Sequence, residues 1–323
     1  MPDRAEPPRA GIASSPMRAR GWRDLAFAGA PLVVLAAIAP ALYGNQLLLF
    51  NFVTFLALAQ GLNVIYGFTG YLPFGYVGFF GAGAYGFAIT VMDFHLGPGA
   101  GMAVAAAASV VLGMILSPLL RLSGAYFAIA SLAAAQALYD IVSNPALDDV
   151  TKGPYGVSLS SVFAPDLSYG VAVGIFAFAT LLVIWLRNAR FGLALRAMRD
   201  DPVSAAMAGF PIVRGRTIAW LLSALIAGLA GGAYAWHISV FYPETAFDIS
   251  FSIFAVVFTL FGGAATLLGP VCGVVLLYGL YNAIGITVPQ YFQLIYGLLI
   301  MALVLFLPDG LASLLTRRGI RVP

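Results

Sequence analysis

Apolar residues gather in long runs separated by short polar or glycine-rich joints, at about residues 25–43, 47–66, 75–92, 99–120, 122–142, 169–186, 217–237, 250–267, 269–286 and 291–307. Each run is close to the ~20 residues that a helix needs to cross the hydrocarbon core of a bilayer. The pattern predicts an all-α membrane protein, a polytopic bundle of about ten transmembrane helices. The joints at 67–75 and 262–270 are rich in glycine and are either breaks inside the membrane or turns at its surface. One membrane domain over residues 25–315 is expected, between a basic tail at 1–24 and a short tail at 316–323.

Composition closes off the soluble alternatives. Hydrophobic residues make up 61% of the chain, charged residues 9%, and the mean hydropathy is +0.95, against roughly 25% charged residues in an ordinary soluble domain. The single cysteine, Cys272, cannot form an internal disulfide and reads as a small buried hydrophobe. Arg4, Arg9, Arg18, Arg20 and Arg23 precede the first apolar run like the basic region of a leader. That run continues to about Tyr43 without a clear small-residue cleavage site, so a retained first span starting from the cytoplasm is expected.

With ten spans and a cytoplasmic start, fifteen of the sixteen Lys and Arg residues fall on the cytoplasmic side and only Lys152 falls outside. Both termini are then cytoplasmic. Asp93, Asp140, Asp148, Asp149, Asp166, Glu244 and Asp248 collect on the outer side. The count supports an even number of spans and leaves ten helices, or eight with two re-entrant segments, both open.

Seven glycines lie in "GFTGYLPFGYVGFFGAGAYG", residues 67–86. Gly67, Gly70, Pro73 and Gly75 do not fit one continuous helix and point to a break, or to a tight turn between spans. Gly78, Ala82 and Gly86 stand four apart, so they share one helix face that admits a neighbouring backbone. Amides and hydroxyls in the spans, at Asn51, Thr54, Gln60, Asn63, Thr69, Ser131, Gln136 and Asn282, should face the bundle interior. Gln60, Asn63, Thr69, Tyr71 and Tyr76 cluster near the break and are the candidates for a translocation pathway. A weak echo between "GYLPFGYVG" (70–78) and "GAATLLGPVCG" (263–273) points to a second break near Gly263 to Pro270.

Two loops stand out. The outer one, 144–168, is long and turn-rich, and serves either as a connector or as a docking surface. The inner one, 187–216, carries six arginines and a short apolar segment with complete helix signals: Asp201 as N-cap, Pro202 at the first helical position and Gly209 just past the last turn. Val203, Ala206 and Met207 make one small apolar face, and a helix this short has little of its own chain to pack against.

Apart from Asp140 near a span end, no charged residue falls deep in a predicted helix, which argues against a proton- or sodium-driven carrier. The chain has no GxxxxGK[ST] phosphate loop, so ATP would be hydrolysed on another chain. His95 and His237 lack metal-ligand spacing, and no nucleophile–base pair is visible, so neither a metal site nor an enzyme is expected.

Together, "GLNVIYGFTGYLPFGYVGFFGAGAY" (61–85), "LSGAYFAIASLAAAQ" (122–136), "FGLALRAMRDDPVSAAMAGF" (191–210), "SALIAGLAGGAYA" (223–235), "LFGGAATLLGPVCG" (260–273) and "LIYGLLIMALVLFLPDGLASLL" (294–315) resemble, in this order, the LivM-type permeases of branched-chain amino acid ABC transporters. The resemblance implies a non-enzymatic permease in the bacterial inner membrane that imports leucine, isoleucine and valine by alternating access. Urea, an amide or another amino acid is the alternative cargo, and a stand-alone channel or secondary carrier the rival mechanism. It further implies a homologous LivH-like second permease, two cytoplasmic ATPase subunits holding ATP and Mg, an extracytoplasmic substrate-binding protein and surrounding lipid, with no cofactor in this chain and no nucleic acid. The stretch "RDDPVSAAMAG" matches the family's ATPase-coupling segment. Arg196, Arg199, Asp200 and Asp201 would then contact the ATPase while Val203, Ala206 and Met207 fill its groove. This chain departs from the family in having Ser204, Ala205 and Ala206 where many members carry an acidic residue, and Tyr71 and Tyr76 where Gln and His are usual.

Overall fold

The computed structural model describes residues 22–42, 44–287, 297, 298 and 301. Its helices are α1 (Trp22–Leu42), α2 (Gln46–Leu62), α3 (Val77–Met92), α4 (Pro98–Ile115), α5 (Ala125–Val142), α6 (Asp148–Thr151), α7 (Pro165–Asn188), α8 (Arg190–Asp200), α9 (Pro202–Met207), α10 (Ile212–Ile238), α11 (Pro243–Ala246), α12 (Ile249–Gly262) and α13 (Gly269–Thr287). Seven helical stretches are long and apolar enough to cross a membrane, and two shorter apolar ones lie in α1 and α13. The helical polytopic class read from the apolar runs is therefore what the chain adopts. The tails and the expected last span at 291–307 lie outside the described residues, apart from isolated positions.

Helix starts follow local chemistry. Proline occupies the first turn of α4, α7, α9 and α11, where its missing N–H costs nothing. The side chains of Asn45, Asp201 and Asp248 cap α2, α9 and α12.

The tightest packing joins α3, α4 and α10. A Cβ placed on Gly83 would meet the Gly228 carbonyl oxygen at 2.0 Å, one on Gly231 the Phe80 carbonyl oxygen at 1.9 Å, and one on Gly228 the Ser109 hydroxyl at 2.0 Å. At the first two contacts, between α3 and α10, backbones touch with no side chain between them, the arrangement that drives helix association where lipid and core are equally apolar. Gly78 and Gly86, which the spacing places on one face, meet different neighbours at looser range: Ala135 of α5 at 3.2 Å and Ala108 of α4 at 3.1 Å. The face expected from the four-residue spacing is thus divided between two helices.

Two other expectations are corrected. Cys272 is exposed on the surface of α13, so it is no core residue. Gln136 is exposed on α5, where its amide donates to Asp140 at 3.1 Å, so the expectation that it faces the bundle interior fails. The loop at 144–168 is more ordered than a simple connector. Val157–Ser158 (β1) pairs antiparallel with Val240–Phe241 (β2), and the Trp236 indole donates to the Val162 carbonyl at 2.8 Å.

Candidate functional site

Three regions carry polar chemistry: a junction of two helix breaks, a surface helix beside it, and a cavity at the opposite end of the bundle. The junction begins where α2 widens into a π-helical turn at Asn63–Gly67 and ends as Gly70 turns with φ of 78°. A short extended run follows, and a 3-10 turn at Phe74–Tyr76 leads into α3. The second break is the non-helical segment 263–268 between α12 and α13, entered at Gly263 with φ of 108°. Both glycine-rich joints are thus interruptions at which buried backbone groups must find new partners.

The partners are specific. Gly75 N–H donates to the Ser131 hydroxyl at 3.2 Å and Val77 N–H to the Ser252 hydroxyl at 2.7 Å, so α3 is capped by helices α5 and α12. Gln60 Nε2 donates to the Leu267 carbonyl at 2.8 Å, and Asn63 Nδ2 to the Thr266 carbonyl at 2.9 Å. The Asn63 side-chain oxygen accepts from Ala265 N–H at 2.8 Å. The two breaks are therefore sewn together by two side chains that are fully buried.

This changes what the pathway candidates do. Gln60 and Asn63 hold the second break, and the Thr69 hydroxyl donates to the Ile65 carbonyl at 2.6 Å. Tyr76 is buried with its hydroxyl on the Ser223 carbonyl at 3.0 Å. Tyr71 lies under the Arg216 guanidinium, 4.8 Å from its ring centre, and donates to the Leu120 carbonyl at 3.3 Å. None of the five lines the cavity described below.

The surface helix is α9. Asp201 accepts from Val203 N–H at 2.9 Å and also holds the Ser204 hydroxyl, Pro202 opens the helix, and Gly209 closes it with φ of 85°. Ala205 is buried against the chain, while Val203 and Met207 are 62% and 83% exposed and Ala206 is exposed between them. Helix α8, a strongly amphipathic element that the arginine pattern obscured, buries Leu195 and Met198 and carries α9 at its end.

Two of the arginines bond backbone carbonyls of this chain. Arg199 Nη1 donates to the Gly67 carbonyl at 2.6 Å, the carbonyl at the end of the π-helical turn, and Arg196 reaches the Arg187 and Gly192 carbonyls at 3.4 Å. In this arrangement both bind their own chain, although Arg199, like Asp200, is exposed. Arg199, near the end of α8, thus links the helix that carries α9 to the first break.

The Asp201 carboxyl is held below the usual carboxylate range, first by the Ser204 hydroxyl and then by the backbone N–H groups of Ser204 and Val203. Because its folded value is depressed, the cap is complete above the ordinary carboxylate pKa of about 3.9 and is lost as pH falls through the folded value. Asp201→Ala should speed amide exchange in residues 203–208 by roughly threefold or more at neutral pH, while Asp201→Asn, which also caps, should not. Equal exchange in both variants would show that the cap does not hold α9.

At the opposite end a cavity of about 570 Å³ opens between α2, α10, α12 and α13. Asn51, Tyr234, Asp248, Phe251, Tyr278 and Tyr281 are among its lining residues. Of these, only Asn51 and Asp248 draw notice in the sequence, as a polar residue in a span and an outer acid. The tyrosines, divided between α10 and α13, carry no local signal. Among the described residues no group of three or more His, Cys, Asp or Glu could hold a metal ion.

Comparison with known proteins gives a consistent picture. The family described as branched-chain amino acid transport system, permease component, matches residues 44–304. The high-affinity branched-chain amino acid transport system permease protein LivM of Salmonella typhimurium is 29% identical over 293 residues, covering 80% of this chain and 67% of the relative. LivM of Escherichia coli is 28% identical over the same shares. A probable branched-chain amino acid transport permease protein LivH of Methanocaldococcus jannaschii is 29% identical over 140 residues, 41% of this chain and 44% of the relative. Shorter stretches also resemble permease proteins named for arabinose, fructose and guanosine.

Proposed function

This chain belongs to the permease-component family of branched-chain amino acid transport systems, and we propose that it is one permease subunit of an ATP-driven importer of leucine, isoleucine and valine in a bacterial inner membrane. A homologous LivH-like permease completes the membrane path, two cytoplasmic ATPase subunits bind ATP and Mg, and an extracytoplasmic binding protein delivers cargo. Both termini lie in the cytoplasm, on the side that gathers the arginines.

The observation that carries this reading is α9. It is a capped helix with an exposed apolar face at Val203, Ala206 and Met207, carried at the end of α8, whose Arg199 bonds the Gly67 carbonyl at the first break. An ATPase groove closing on that face would move α9, and the hydrogen bond would pass the motion to the breaks. The exposed Gln136–Asp140 pair on α5 supports a second permease, since an amide and a carboxylate facing hydrocarbon are costly. The cargo rests on the LivM relatives; urea, another amide, or the sugars and nucleoside named for more distant relatives are the alternatives.

The test is uptake of radiolabelled leucine, with urea and fructose in parallel, by vesicles holding the permease and its partner subunits. Ala206→Arg should abolish ATP-dependent leucine uptake while the permease stays in the membrane, and Ala206→Glu should report how far the groove accepts an acidic residue. Uptake that ignores both ATP and residue 206 would overturn the importer reading in favour of a channel or carrier. ATP-dependent uptake of urea or fructose alone would overturn only the cargo.

A further inference from the structure

The loop that leaves the first break is flanked by cations that no described carboxylate pairs with. Tyr71 is fixed there by its hydroxyl on the Leu120 carbonyl at 3.3 Å and by the ring of Phe127, edge-on at 5.0 Å. The Arg216 guanidinium lies over the Tyr71 ring at 4.8 Å. Its Nε is sealed from solvent and has no hydrogen-bond partner, while its two Nη groups are not sealed. Arg121 follows Leu120 at the end of the 3-10 turn Ser117–Arg121, which packs against α10, and is exposed. Arg199 runs along the same loop, bonding the Gly67 carbonyl and passing 3.4 Å from where a Cβ on Gly70 would stand. From residue 25 to 287, the only acids on the arginine-rich side are Asp200 and Asp201. Asp201 caps α9, and Asp200 forms no ion pair among the described residues.

A stack on an aromatic ring attracts the charge of a guanidinium but accepts none of its in-plane N–H groups. With Nε shut off from water and from any acceptor, Arg216 is under-solvated along that edge, and a buried donor without a partner is costly. The Nη groups left open are the fork that two oxygens of a phosphate match. The position is that of a membrane surface: Arg216 stands near the start of α10 and Arg121 just past α4, both of membrane length. Along α4, Val104, Val111 and Ile115 share one face and are 40–67% exposed, an apolar wall that ends at the turn carrying Arg121. We propose that Arg216 and Arg121, with Arg199 adding positive charge beside them, bind the phosphate of an anionic membrane lipid whose chains lie along α4. Soluble phosphate shares the charge but has no use for the wall. The site does not depend on the cargo.

The test titrates the assembled transporter in detergent with dioleoyl phosphatidylglycerol, dioleoyl phosphatidylcholine or inorganic phosphate. The readouts are Tm and the lipid retained per complex in native mass spectrometry. Phosphatidylglycerol should raise Tm and stay bound, and the other two should do so less. Arg216→Gln and Arg121→Gln should each cut retained phosphatidylglycerol threefold or more. Arg214→Gln removes the same charge from a neighbouring exposed position without the stack on Tyr71, and should leave retention as in the wild type. Arg121 is exposed, so its variant keeps the test decisive if Arg216→Gln does not assemble. A loss as large in Arg214→Gln would reduce the site to diffuse surface charge and overturn it, as would unchanged retention in the variants at 121 and 216. Equal retention of the two lipids would overturn selection of an anionic headgroup. A Tm rise with inorganic phosphate as large as with phosphatidylglycerol would overturn the lipid as the ligand.

Discussion

Gly83→Ala is expected to remove most of the folded permease, although alanine is the better helix former. In a helix interior the exchange is worth about 1 kcal/mol in favour of alanine. At this position the added methyl would sit 2.0 Å from the Gly228 carbonyl oxygen and 2.5 Å from its Cα. Both belong to the backbone of α10, so no side chain can swing away. The helices must separate, and the neighbouring contacts of Gly231 with Phe80 and of Gly228 with Ser109 open with them. Overpacking of this kind costs about 1–3 kcal/mol at one site, and here three helices lose their closest approach together. Gly86→Ala is the control, because its methyl would meet the Ala108 methyl at 3.1 Å and a small shift relieves it. The Tm of the purified protein in detergent should fall clearly for Gly83→Ala and little for Gly86→Ala. Equal Tm values in the two variants would show that the Gly83–Gly228 contact does not hold the bundle.

Asn63→Leu should be nearly as damaging, for a different reason. The leucine fits the volume but strands Ala265 N–H and the Thr266 carbonyl, both now bonded to Asn63 at 2.8 and 2.9 Å. A buried donor or acceptor left unmatched costs about 1–3 kcal/mol. The expected result is a release of segment 263–268, seen as loss of amide-exchange protection there, together with loss of ATP-driven uptake from whatever protein remains in the membrane. Asn63→Asp keeps the acceptor for Ala265 and should retain more of the protection than leucine does. If Asn63→Leu leaves exchange in 263–268 unchanged, the side chain does not sew the breaks together.

The cytoplasmic helix shows how much local sequence can say. Asp201, Pro202 and Gly209 are a cap, a first-turn proline and a left-handed stop, each acting within a few residues, and α9 forms between them. Val203, Ala206 and Met207 read as one apolar face for the same reason. Helix α8 next to it is hidden in the sequence behind its arginines and aspartate, although Leu195 and Met198 stand at helical spacing. The polar residues of the spans were readable as a group and not one by one. Gln60 and Asn63 are interior as expected, but their partners lie some two hundred residues away, at Leu267 and Thr266. Gln136 satisfies itself with Asp140 on its own helix, a spacing of four that the sequence displays and that frees it to face outward.

What the sequence determined by itself is the class of protein and its local punctuation. Apolar runs of membrane length, their glycine-rich interruptions and the caps are short-range properties, since a helix needs only its own hydrogen bonds and a low-polarity face to form in lipid. The tertiary structure decided which of those features meet. It alone chose Gly83 over Gly78 and Gly86 for the closest approach to another backbone, turned Arg199 onto the Gly67 carbonyl, gave Tyr76 to the Ser223 carbonyl and gathered tyrosines from α10 and α13 around Asp248. Spacing along one helix specifies a face, but the neighbour that fills it comes from a distant part of the chain, and close packing without a side chain between backbones depends on both partners at once.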